Sequence, residues 1–344
     1  MLDPGRAVVM PRTIVGKGLR FSLRHAPCAH ICRYCLISES RKGTALPWEG
    51  FERLVMRFHD WKEATGRDNF QIGIFVGPSF DYDINILQGV MRLYARRGLS
   101  FQTVNLGGLR IRDGEVLAAW IDERQAAGVT GFHTSLAGHG EVHDRWNGRA
   151  GDFAYQMSIL RLAGERGMAR REKLFLTQNT LPLFDRLLDT LDALPGELAG
   201  RNASPFFYAG LATRYEEERL TEDMRDTLPA RITRLRSGKF DNWLSEREWI
   251  PVMLETADQP RKLQLKLDVD ETNIGYLERT PCDDIVAERE RQYQESYNAI
   301  PALAELCARY GDPENRRIYM MSRDVEGRWL DLHRQDTGTP PPID

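Results

Sequence analysis

Cysteine is scarce in this chain, with five among 344 residues. An odd number in a chain of this length does not suit a disulfide framework, which belongs to short secreted domains. Long apolar runs are also missing. None approaches the ~20 residues that cross a bilayer, so no membrane partner is expected. Residues 1–12 lack a continuous apolar core behind a basic start, so no secretion signal is expected there and a reducing cytoplasm is the expected compartment. Nor is there an excess of one charge: 47 Lys and Arg face 50 Asp and Glu, a formal net charge of −3. Basic runs such as Arg170-Arg171 and Arg316-Arg317 are short. The basic stripe of a nucleic-acid partner is therefore absent.

What cysteine there is lies close together. Cys28, Cys32 and Cys35 fall within eight residues, spaced Cys-x₃-Cys-x₂-Cys. A loop this tight can offer three thiolates to three corners of an iron–sulfur cube and leave the fourth iron without a protein ligand. Zinc is the alternative. It takes four ligands, and His25 or His30 could complete a Cys₃His site.

The chain alternates apolar runs with amphipathic stretches between about residues 19 and 235. Strands are predicted at 19–23, 72–76, 101–106, 130–136, 174–177 and 206–211. Helical stripes follow each, such as Leu54, Val55, Phe58 and Trp61, or Ile84, Leu87, Val90 and Met91. Asp81 is expected to cap the helix after the second strand. Six strand–helix units in a row predict a parallel α/β sheet, and right-handed crossovers curl it toward a barrel. Function in such folds gathers at the C-terminal ends of the strands, where the cysteine loop lies.

Beyond residue 236 the pattern changes. Leu263, Leu265, Leu267 and Val269 alternate with polar residues as in a half-buried strand. A long charged helix is predicted over 283–309, and 318–321 with 329–332 as a hairpin. The predicted division is a segment 1–18, a barrel 19–235, a C-terminal α+β extension 236–336 covering the open side of the barrel, and a disordered tail 337–344.

The cysteine spacing, with aromatic Tyr34 before the last cysteine, resembles the signature of the radical S-adenosylmethionine (radical SAM) superfamily. The resemblance implies a partial (β/α)₆ barrel, a [4Fe-4S] cluster on Cys28, Cys32 and Cys35, and SAM chelated at the open iron. Reductive cleavage of SAM then gives a 5′-deoxyadenosyl radical that abstracts hydrogen from a substrate C–H bond. An external one-electron reductant such as a flavodoxin or ferredoxin is implied.

Where the family commonly reads Gly-Gly-Glu at the end of the second strand, this chain has Gly77-Pro78-Ser79, which assigns Gly77 and Ser79 to SAM. The run from Ser135 through Ala137-Gly138, His143-Asp144, Gly148 and Gly151 to Phe153 resembles a stretch of peptide- and protein-modifying members. Ser135 then matches a SAM contact. The family's arginine after His-Asp is Asn147 here, with Arg145 and Arg149 on either side, and either guanidinium suits a carboxylate. His143-Asp144 is expected to brace this loop. Thr177 and Asn179 are expected to face the SAM ribose, and Gly210 to admit adenine.

Many peptide-modifying relatives carry further clusters. Only Cys282 and Cys307 remain here, too few for another. Reactions in which the substrate radical resolves alone or takes back hydrogen are left, and Cys282, at a helix start, is the candidate hydrogen-atom donor. Cys307 is expected in a core. The expected substrate is a peptide or protein side chain, with a small metabolite as one alternative and a non-catalytic Cys₃His zinc or iron–sulfur protein as another.

Overall fold

The computed structural model describes residues 13–36, 44, 46–236, 243–257 and 259–339. The chain begins β1 (Ile14–Ala26), α1 (Trp48–Ala64), β2 (Gln71–Pro78), α2 (Ile84–Ala95), β3 (Thr103–Asn105) and α3 (Gly114–Ala126). It continues β4 (Gly131–Leu136), α4 (Glu141–Asn147), α5 (Asp152–Glu165), β5 (Ala169–Phe175), α6 (Phe184–Asp192) and β6 (Leu198–Ser204). Every ladder among these strands is parallel, and they run in the order β1-β2 and β3-β4-β5-β6. This is the expected α/β partial barrel, with helices on its outer face.

The pattern of burial explains the layering. Leu19, Phe21 and Leu23 alternate along β1 and are fully buried. Phe21 meets Phe58 of α1 edge to face at 4.8 Å. On β4, Phe132 stacks against Trp120 of α3, and Thr134 is hydrogen-bonded to Gln156 of α5. The alternate residues, His133 and Ser135, must face the other way, into the barrel.

The sixth strand corrects the sequence reading. It lies at Leu198–Ser204, not at 206–211. Its sequence is polar because ion pairs replace apolar contacts on its outer side: Glu172 of β5 is shared by Arg170 and Arg201. The apolar signal at 206–211 belongs instead to Phe206, which packs beneath the cysteine loop. Residues 210–218 form a 3₁₀ stretch (Gly210–Glu218) rather than a strand end.

After α7 (Glu222–Asp226) and α8 (Ala230–Thr233) come β7 (Leu244–Ser245), α9 (Glu246–Leu254) and β8 (Arg261–Val269). The strand expected within the extension does form, and β8 lies parallel beside β1, giving the order β8-β1-β2. The chain ends α10 (Ile274–Arg279), α11 (Cys282–Asn298), α12 (Leu303–Tyr310), β9 (Ile318–Tyr319) and α13 (Ser322–Thr337). The single helix expected over 283–309 is two, broken around Pro301, which disfavours helical backbone before it. The expected hairpin is not formed. β9 pairs antiparallel with β7, and 329–332 lies in α13, whose buried Val325, Trp329 and His333 recur every four residues. Trp249, Met253, Leu306, Tyr319, Val325 and Trp329 make a second core.

Residues 1–12 of the expected N-terminal segment and 340–344 of the expected tail lie outside the described residues, whereas Thr337 ends α13. No helix among the described residues is long and apolar enough to cross a membrane.

Candidate active site

The cysteine loop leaves the C-terminal end of β1 and is fixed by backbone bonds to the loops that follow three other strands. Ala29 N donates to Gly108 O at 3.1 Å, beyond β3. Ile31 N and Arg33 N donate to Asn147 O and Trp146 O at 3.1 and 2.8 Å, beyond β4. Leu211 N donates to Cys35 O at 2.9 Å, beyond β6. β2 joins indirectly, because the buried Ser79 hydroxyl donates to Gly108 O at 2.9 Å. None of the five cysteines is in a disulfide, and the three of the loop are partly exposed.

Two glycines make this closeness possible. Gly108 has φ +77°, and a Cβ there would stand 2.6 Å from Cys28 Sγ. Gly210 has φ +56°, and a Cβ would stand 2.2 Å from Cys35 O. Gly210 therefore serves the loop backbone, which corrects its assignment to the sixth strand. Gly108→Ala should strain the backbone by about 1–2 kcal/mol and press on the Cys28 thiol. The expected outcome is metal affinity lowered about tenfold or more, read as iron per chain after anaerobic reconstitution and desalting.

Aromatic rings floor the loop. Tyr34 stacks on Phe206 at 4.8 Å and leans on Phe175 at 5.0 Å, with Trp146 beyond Phe206. Its hydroxyl donates to Asn147 Oδ1. Burial, then the neighbouring Cys28, Cys35 and Asp152, push the Cys32 thiol far above its ordinary value. Burial thus favours the protonated Cys32 thiol, and a metal that takes its thiolate must displace that proton.

Asp152, fully buried at the start of α5, is the hub beneath the loop. Its Oδ1 accepts from His30 Nε2 at 3.1 Å and from Arg149 Nε at 3.1 Å. Its Oδ2 accepts from His143 Nε2 at 3.0 Å and from Gln156 Nε2 at 2.8 Å. Backbone N–H groups of Gly108 and Ala137 donate to Nδ1 of His30 and His143, so both ring protons are assigned to Nε2. Burial raises the Asp152 carboxyl, but hydrogen bonds from His143 and His30 outweigh it and hold the group far below the usual carboxylate range. His143 thus braces the loop through Asp152. Asp144 does so separately, accepting from Gly151 N and Phe153 N at 2.7 and 2.8 Å.

These bonds bear on zinc. Both ring nitrogens of His30 are engaged, which removes it as a fourth ligand. Buried His25 Nδ1 has no hydrogen-bond partner, and burial lowers its pKa, against the pull of Asp83. Among the described residues, no three His, Cys, Asp or Glu side chains converge as a single ion requires. Three thiols on one loop, with glycine beside one of them, fit a cluster whose irons each take one thiolate.

The other predicted residues divide in two. Ser135 presents its hydroxyl on the inner face of β4 with no hydrogen bond among the described residues. Thr177 is buried and donates to Asn179 Oδ1 at 2.9 Å. Trp146 Nε1 donates to the same oxygen at 3.1 Å, which leaves the Asn179 NH₂ as the free end. Gly77 is the penultimate residue of β2, buried against Phe75. By contrast, the Ser79 hydroxyl is engaged by Gly108 O and Asp81 N. Arg149 is held by Asp152 and by Leu109 O, while Arg145 is exposed and unpaired among the described residues. Asp81 caps no helix. It pairs with Arg110 and Arg112, and the cap of α2 is Asp83, which accepts from Ile86 N at 3.0 Å.

Cys282 is not brought to the loop. It is buried where α11 meets α1, with Arg57 Nε and Nη2 each 3.3 Å from its sulfur. Arg57 also donates to the carbonyls of Leu277, Glu278 and Thr280 that end α10. The helix layer stands between this thiol and the barrel interior. Cys282→Ala should cost about 1–2 kcal/mol of stability and leave the reaction product unchanged by mass spectrometry. Cys307 packs at the edge of the second core, as expected.

No family model matches the sequence, and no curated protein matches it. Among solved structures the chain is similar to SuiB of Streptococcus suis bound to S-adenosylmethionine: 12% identity over 73% of this chain and 51% of that one, TM-score 0.38. SuiB bound to precursor peptide SuiA aligns at 13% identity over 77% and 52%, TM-score 0.41. Coproporphyrinogen III oxidase HemN from Escherichia coli, a radical SAM enzyme, aligns at 10% identity over 94% and 91%, TM-score 0.43. The chain spans about half the length of SuiB, and the likeness is distant in each case.

Proposed function

We propose that this chain is a radical SAM enzyme in which Cys28, Cys32 and Cys35 hold a [4Fe-4S] cluster, one iron is left for SAM, and hydrogen is taken from a substrate C–H bond. The observation that carries this reading is the cysteine trio, not joined by disulfides, at the C-terminal ends of a parallel barrel and locked by backbone bonds to the loops beyond β3, β4 and β6. When bound, cluster and SAM together supply an oxidant strong enough for an unactivated C–H bond.

The protein's own residues bind, orient and enclose. Ser135 and the NH₂ of Asn179 are the free polar groups offered to SAM, with Thr177 fixing Asn179. The Gly77 backbone borders the same end of the barrel, and Ser79 ties that end to Gly108. Arg149 acts as a positioning residue through Asp152. The aromatic floor of Tyr34, Phe206 and Trp146 keeps water from the underside of the loop, as radical chemistry requires. A reducing cytoplasm and a flavodoxin- or ferredoxin-like donor belong to this reading.

A peptide or protein side chain as substrate follows from the sequence resemblance of residues 135–153. A small metabolite is the second reading, favoured by a cavity of roughly 730 Å³ inside the barrel, within the usual range for small-molecule sites. The test is anaerobic incubation of the reduced, reconstituted chain with SAM and mass spectrometry for 5′-deoxyadenosine. Its formation, abolished by Cys32→Ala, is the expected result. Its absence with an intact cluster, with and without candidate substrates, would count against the proposal.

A further inference from the structure

The cavity in the barrel is built from one face of β3 to β6. Strand register aligns Asn105, His133, Arg171 and Gly200 in one row, and Ser135, Lys173 and Asn202 in the next. Of these, Asn105, His133, Arg171, Gly200 and Asn202 line the cavity. The wall is polar and carries one cation, Arg171, in a chain whose overall charge is slightly negative.

Arg171 is exposed to this space and makes no hydrogen bond or ion pair among the described residues. Its neighbour in sequence, Arg170, points outward and is fully used by Glu172 and the carbonyls of Pro195 and Gly196. Glu172, the acid among the lining residues, is held by Arg170 and Arg201 and does not neutralise Arg171. Asn105 Oδ1 accepts from Gly107 N at 2.7 Å, so its NH₂ is the free end. Burial lowers the His133 pKa, and Lys173 and Arg171 act in the same direction. A guanidinium without a carboxylate, beside the Asn105 amide donor and an imidazole, suits an anion.

We propose that this cavity binds an oxyanion, a carboxylate or phosphate carried by the substrate, with Arg171 as the specificity-determining residue. The inference deepens the radical SAM reading, on which it rests for calling the ligand a substrate. It requires no bond making.

The test is isothermal titration of the anaerobically reconstituted full chain with glutarate and, separately, with inorganic phosphate, which tells the two sources of anion apart. Saturable binding of one of them, weakened about tenfold or more in Arg171→Met, is the expected result. Arg171→Lys should restore part of it, and added salt should weaken it. Because Arg171 is exposed and unpaired, thermal melts of the variants should match the parent. Equal binding by parent and Arg171→Met, or no binding of either anion up to roughly tens of millimolar, would overturn the proposal. Anion binding without 5′-deoxyadenosine formation under any condition would remove the radical SAM reading and leave the anion site standing. SAM cleavage without anion binding would do the reverse.

Discussion

Asp152→Ala is expected to cost the fold about 3–5 kcal/mol, the penalty for removing one partner from a buried charged network. Five side chains converge on this carboxylate: His30, His143, Asn147, Arg149 and Gln156. Removing it leaves a guanidinium with only a backbone carbonyl and two imidazole N–H groups with no acceptor. It also frees His30, whose bond to Asp152 ties the cysteine loop to the start of α5. Urea unfolding at neutral pH should show a clearly lower midpoint, and reconstituted protein should hold less iron. Asp152→Asn keeps the shape but loses the charge, and should fall between parent and alanine variant.

The same carboxyl gives a pH dependence. Its folded pKa is depressed below the unfolded value of about 4, so the folded state binds fewer protons there. Its contribution is complete above that pH and is lost as acid titrates the folded group. Unfolding midpoints of the parent should fall on acidification below about pH 4, and those of Asp152→Ala should fall less. An unchanged midpoint in Asp152→Ala would remove the hub from the account.

Replacing Cys32 with alanine is the second large effect. Cys32 is central in the trio, and the charges of Cys28, Cys35 and Asp152 all act on its thiol. Iron and sulfide should fall to background, and 5′-deoxyadenosine with them. The fold should survive, because the loop is also held by backbone bonds from Ala29, Ile31 and Arg33 and by the bond Cys35 O accepts from Leu211 N, none of which needs the sulfur. Near-parental thermal melting of the metal-free forms of parent and variant would check this.

The trio was legible because its chemistry is contiguous: three thiols in eight residues say what they do without the rest of the fold. The barrel was legible from alternation wherever strands are buried by apolar contacts. β6 escaped because Arg201 and Glu172 bury their charges against each other, so the strand carries no apolar pattern. In α13 the helical stripe of Val325, Trp329 and His333 was hidden by an apparent two-residue alternation around Trp329. The partner of β8 was not readable, because nothing in an alternating run names the strand beside it.

The hub was the least legible part of the site. Adjacency pairs His143 with Asp144, yet neighbours on a helix point about 100° apart and do not meet. His143 instead finds Asp152, which the folded turn brings back beneath it. Arg149 likewise looked available to a cofactor carboxylate, and an internal carboxylate occupies it.

The central claim is tested most directly by assaying iron, acid-labile sulfide and zinc on the same anaerobically reconstituted sample. About four iron and four sulfide per chain are expected, absent from Cys32→Ala. One zinc per chain with no sulfide would contradict it.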